Sequence, residues 1–147
     1  PRPANSAQEL APFASVHVEG PLDVEVHVGG LHAVRFLGDE ERLFELRADL
    51  RDGVLFLSAA PGAPWRDGPR AIVTTAGLEL LTAAGSGWVT VVGLNETRFE
   101  VRLRGSGDVH LRGHVGVLTT SVDGAGRIDA SEVDAHRREH RSLSSAP

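Results

Sequence analysis

His136-Arg137-Arg138-Glu139-His140 spells His-x-x-Glu-His, the inverted form of a zinc-protease motif and the most explicit chemical pattern in the chain. Such a site needs a helix to bring both imidazoles to one metal, and a further acidic ligand downstream. Seven residues follow His140 and none is acidic, so the stretch reads as a solvated, arginine-rich tail; no metal or cofactor is expected. Gly105-Ser106-Gly107-Asp108 invites two other readings. As a dinucleotide loop it lacks the third glycine and the following helix. As a calcium-binding repeat it has the right glycine-aspartate chemistry, but those repeats recur about every nine residues. The equivalent corners here also place Trp88 and Arg127 where Asp108 stands. Ser86 and Ser106 sit outside any Gly-x-Ser-x-Gly elbow and read as small corner residues. His110 and His114 are four apart, but strand spacing does not bring them together, and His110, like His17 and His27, is expected to face solvent. Asp108, Asp123 and Asp129 fall on neighbouring copies and could cluster as a carbohydrate-active enzyme requires. Turn-forming, solubilising aspartates are the plainer reading.

A repeat positions all of these residues. Gly85-Ser86-Gly87, Gly105-Ser106-Gly107 and Gly124-Ala125-Gly126 recur about every twenty positions. Four and two residues before the first glycine stand Leu81, Val101, Thr120 and Ala83, Leu103, Val122. Four and six after it stand Val89, Val109, Ile128 and Val91, Leu111, Ala130. Period-two alternation is strand spacing, so each copy is a strand, a Gly-x-Gly corner and a second strand with one face inside. One such unit cannot bury its own apolar face, so copies must stack as in a β-solenoid with about twenty-residue rungs. Glycine at the corner lets neighbouring backbones approach closely. Val16, Val18, Val24 and Val26 occupy the same columns around Gly20, and Asp23 takes the place of Asp108; this is a degenerate copy separated from the three clear ones.

The rest of the chain is read around this repeat. Residues 1–12 form a flexible proline-rich lead-in, 13–135 the domain, and 136–147 a charged, then serine-rich tail that is a short helix or frayed. Strands are expected at Ala33 to Leu37, Leu43 to Leu50, Val54 to Ala59 and Ala71 to Thr75, with a Pro-, Gly- and Arg-rich loop around Trp65 between the last two. The 147 residues, 41 % hydrophobic, suit one domain with a real core. A net charge of −5 without any polybasic run makes nucleic acid an unexpected partner. All fifteen basic residues are arginine, which codon usage in a GC-rich genome explains without special contacts. The absence of cysteine excludes disulfides and thiol chemistry, and no apolar run is long enough to span a membrane. The start at Pro1-Arg2-Pro3, without methionine, suggests a processed form whose targeting segment is lost.

Phe13 to Val28, Asp52-Gly53-Val54-Leu55, and Leu78-Glu79-Leu80-Leu81 running through Gly85-Ser86-Gly87 to Gly105-Ser106-Gly107-Asp108-Val109 resemble the putative auto-transporter adhesin head GIN domain family of bacterial envelope proteins. The resemblance implies an all-β, right-handed, single-domain solenoid, exported from the cytoplasm, with no catalytic residues to carry over. Members commonly continue with another glycine corner, where this chain turns to His136-Arg137-Arg138. The expected function is a non-enzymatic envelope or surface module, periplasmic, cell-surface or secreted, that binds a protein or glycan. A self-assembling scaffold joined through solenoid ends is the alternative, and a polysaccharide-active enzyme a more distant one.

Function should leave its trace where the copies differ. The outer columns of the first clear copy hold Leu80, Ala84, Trp88 and Val92, against Glu100, Arg104, Asp108 and Arg112 in the second. Cover by the loop carrying Trp65 is favoured over a binding patch. If exposed, Trp88 becomes the leading ligand-contact candidate, with Arg104, Asp108, Arg112 and Arg127; the corner glycines Gly20, Gly85, Gly87, Gly105, Gly107, Gly124 and Gly126 are structural.

Overall fold

The computed structural model describes residues 8–60 and 62–142. Among the described residues the fold is all-β: eleven strands, joined in one sheet that wraps into a nearly closed, barrel-like form, and one short 3-10 helix. The strands are β1 (Gln8–Glu9), β2 (Ser15–Glu19), β3 (Asp23–Val28), β4 (Ala33–Leu37), β5 (Leu46–Arg51) and β6 (Val54–Ala59). They continue as β7 (Arg70–Thr75), β8 (Leu80–Ala84), β9 (Val89–Arg104), β10 (Asp108–Asp123) and β11 (Arg127–Ser142).

The glycine corners divide the sheet into two ladders. One runs β5-β6-β2-β8 and on through the second halves of β9, β10 and β11. The other runs β1-β4-β7-β3 and on through their first halves. The inward columns align as their spacing requires: Val16 pairs with Leu81, Leu81 with Val101 and Val101 with Thr120, while Val24 pairs with Val89, Val89 with Val109 and Val109 with Ile128. These side chains, with Leu22, Leu94, Phe99, Leu103 and Leu118, form the core between the ladders, buried except for Ile128, which packs half-buried at its edge. At roughly 25 cal/mol per Å² of apolar surface, this burial is the main favourable term holding the stack.

The Gly20 copy is not set apart from the clear ones: β2 and β3 lie directly against β8 and the start of β9. A further copy stacks on its other side, with Leu55 and Leu57 beside Val16 and Val18, and Ala71 and Val73 beside Val24 and Val26. Its corner is replaced by the loop between β6 and β7, which hides the repeat from inspection of the glycines.

Antiparallel β5 and β4 close this end, joined by the 3-10 helix Glu40–Glu45. The expected strand from Leu43 therefore begins only at Leu46, because the turn signal at Gly38-Asp39 starts a helical turn that buries Leu43. Arg42 ties the helix to the long loop: it donates to the Glu45 carboxylate at 2.9 Å and to the carbonyls of Ala63 and Pro64, with its guanidinium 4.6 Å from the Trp65 ring centre.

Both terminal expectations are corrected where the structure describes them. Gln8 and Glu9 pair with β4 in place of a loose lead-in, and the tail from 136 is neither helix nor frayed but strand, through Ser142. Residues 1–7 and 143–147 of those two expected segments lie outside the described residues. Backbone pairing with β10 extends β11 although its inward columns turn polar: Arg138 stands where Leu118 and Phe99 stand, and His140 where Thr120 and Val101 stand. Arg138 reaches across to the carbonyl of Ala130 at 3.1 Å and to that of Val133, while His140 Nδ1 lies 2.6 Å from Thr120 Oγ1. Polar side chains thus cover the end of the core.

Candidate functional site

The corner preceding β9 is fixed from the neighbouring copy, since the Trp88 backbone N–H donates to Asp23 Oδ1 at 2.9 Å. Asp23 therefore acts as a structural tie between corners. The Trp88 side chain stays 38 % exposed. Because Val89 pairs with Val109 and Asp108 with Arg127, the residues Trp88, Asp108 and Arg127 form one row across three adjacent strands. Parallel strands lie about 4.8 Å apart, so the row spans about 10 Å. It lines a groove of about 420 Å³ whose walls also include Thr90, His110 and Asp129. Among the described residues neither Asp108 nor Arg127 is in an ion pair, which leaves an acceptor and a planar multiple donor free beside the indole.

The groove wall is a different kind of surface, already internally paired. His110 is only partly exposed, with Nδ1 3.4 Å from Asp129 and Nε2 2.9 Å from Glu132, and Arg112 Nε is 3.3 Å from Glu132. The Ser131 hydroxyl and N–H both donate to Asp129, at 2.7 and 2.9 Å. Serine, histidine and aspartate are therefore together, but in the wrong order for nucleophilic catalysis. The hydroxyl donates to the carboxylate and not to the imidazole, and both ring nitrogens face carboxylates.

These bonds set a pH dependence. The Ser131 hydroxyl, then its N–H, holds Asp129 below the usual carboxylate range; the His110 hydrogen bond, then the Arg112 charge, does the same for Glu132. A depressed folded-state value means stabilisation that is present above the unfolded value and lost as pH falls through the folded one. Glu132→Gln should therefore melt below the parent at neutral pH, and the gap should close between about pH 5 and pH 3 in a series of thermal melts. A gap that widens with acid would refute the assignment.

Residues 12–146 match the family described as putative auto-transporter adhesin, head GIN domain. The chain belongs to that family. A comparison with curated proteins gives no match. Among solved structures, the head GIN domain is similar to a putative adhesin from Bacteroides fragilis NCTC 9343, with a TM-score of 0.72 and 16 % identity over 94 % of this chain and 75 % of that one. A putative adhesin from Parabacteroides merdae ATCC 43184 gives 0.64 and 14 % over 94 % and 76 %. A putative lipid binding protein from Parabacteroides distasonis ATCC 8503 gives 0.63 and 15 % over 94 % and 77 %. At these identities the likeness is one of fold.

Of the five ligand-contact candidates in this head GIN domain, the structure brings Trp88, Asp108 and Arg127 together and leaves two outside the groove. Arg104 pairs in register with Asp123 on the other ladder, and Arg112 is engaged by Glu132. The expected cover over Trp88 is also corrected, because the Trp65 ring packs against Gly38 and under Arg42 at the β4–β5 end. The three aspartates do not converge either: Asp108 and Asp129 share the groove, Asp123 does not. His136 and His140 lie on a strand, and His140 is spent on Thr120, so the His-x-x-Glu-His spelling brings no pair of imidazoles to one point.

Sequence reasoning missed His110 and Thr90 as groove residues. The register of the repeat carried that information, since both stand two residues after Trp88 or its equivalent Asp108. Nor does sequence reasoning find a second concavity of about 600 Å³, lined by Phe13, His32, Asp52, Glu79 and Glu96 among others. Two of its polar groups serve the fold: His32 Nδ1 receives the Phe13 N–H, and Glu96 receives the Leu78 N–H at 3.0 Å.

Proposed function

We propose that this head GIN domain is a non-enzymatic recognition module of the bacterial envelope or cell surface, built as a right-handed solenoid whose corner row meets a surface protein or glycan. The observation that carries this reading is the row itself, an exposed indole with a carboxylate one strand away and a guanidinium one further, neither in an ion pair among the described residues, all held at strand starts or the corner before one. Rigid placement limits the entropy lost on binding. The pairing of His110, Asp129 and Ser131 among themselves supports binding without turnover. Polar Arg138 and His140 over the core at the β11 end, and antiparallel strands at the opposite end, weigh against the scaffold reading, because neither end offers a further apolar layer in the parallel register of the stack. Retention of isolated bacterial envelope fragments on immobilised domain tests the reading. Wild type should retain fragments and Trp88→Ala should not; equal retention by both would remove the corner row as the binding surface.

A further inference from the structure

We infer that the ligand of the corner row is a pyranose glycan held over a disaccharide-length stretch without being cleaved, an inference that rests on the row being the binding surface. The groove has a single exposed aromatic ring, the Trp88 indole at 38 %, beside the buried Val89 and Val109 and the partly buried Ile128, with the Asp108 carboxylate next in the row and the Arg127 guanidinium one strand further. One flat ring suits one sugar face, whose C–H groups pack on the electron-rich indole. A protein partner asks for more: roughly 800 Å² on each side and a cluster of desolvated anchors. Here the surface beyond Trp88 turns at once into the His110–Glu132–Arg112 network, which a protein would have to desolvate with little return.

The polar groups fit the same ligand. Asp108 accepts and Arg127 donates, and a polyhydroxylated ring needs both functions, since every hydroxyl is donor and acceptor together. Trp88 and Asp108 stand one strand spacing apart and Arg127 one further, about 10 Å in all, which frames two linked sugar rings. Cleavage would require a second free carboxylate beside Asp108 acting as acid or base. The other carboxylate in the groove, Asp129, is held by two bonds from Ser131 and by His110.

Treating the envelope fragments before the retention assay separates the sources of the ligand. Periodate, which opens vicinal diols, should abolish retention, and exhaustive proteolysis should leave it intact. The reverse pattern would overturn the glycan inference while leaving the corner row as the binding surface, provided retention still depends on Trp88. Oligosaccharides released from the fragments should then bind the isolated domain in titration calorimetry. Trp88→Ala should weaken that binding about tenfold or more, with Asp108→Asn and Arg127→Gln each costing about three- to tenfold. Trp88→Phe keeps a ring and should retain part of the affinity, a graded result that loss of folding would not give. Undiminished binding by Trp88→Ala would overturn the inference, and so would shortening of the oligosaccharide chains during incubation.

Discussion

Gly107→Ala should cost the fold about 3 kcal/mol or more, lowering the thermal midpoint by about 10 °C. A Cβ at this position would lie 2.2 Å from the carbonyl oxygen of Gly87, and Gly87 in turn could accept no Cβ because the Leu22 carbonyl is equally close. The obstruction is backbone on backbone, so no side-chain rotation relieves it. Gly107 also donates to Gly85 O at 3.1 Å, and its carbonyl accepts from Arg127 N at 3.3 Å, so a shift at one corner is passed to the next. Gly68→Ala is the control: nothing lies within 4 Å of its Cβ position, and its effect should stay within about 0.5 kcal/mol. A Gly107→Ala protein as stable as Gly68→Ala would mean that the corners are not close-packed as described.

Arg138→Leu combined with His140→Val should make the protein associate with concentration. The two substitutions extend the Phe99–Leu118 and Val101–Thr120 columns by one apolar layer and remove the bridge from Arg138 to the carbonyls of Ala130 and Val133. Among the described residues β11 pairs with β10 alone, so the altered end joins an apolar layer to a sixteen-residue strand edge. That combination is the edge that natural sheets protect with inward-pointing charge. Static light scattering across a dilution series should show wild type at constant mass and the double variant rising. A double variant at constant mass would show that Arg138 and His140 have no capping role.

These two expectations mark how far the sequence could be read. The columns around Gly85, Gly105 and Gly124 pair as period-two spacing demands, because stacking is the only way such units bury their apolar faces. The copy formed by β6 and β7 is not legible from the glycines because its corner is the loop carrying Trp65, although Leu55, Leu57, Ala71 and Val73 occupy the columns. The strand character of residues 136–142 is hidden for a related reason. Strand pairing extends it, while Arg138 and His140 break the apolar alternation that signals a strand. The candidate site was half legible: register alone aligns Trp88, Asp108 and Arg127, whereas the diversion of Arg112 to Glu132 depends on side-chain directions that spacing does not fix.

In the proposed reading, regular stacking gives the domain its stability and one irregular row its recognition. A residue-resolved NMR titration with solubilised envelope oligosaccharides tests that division most directly. The account predicts that the largest shifts fall on the Trp88 indole N–H and the amides of Asp108 and Arg127, with the seam around His32 and the outer edge of β11 unmoved. Shifts centred on either of those surfaces, with Trp88 unchanged, would contradict it.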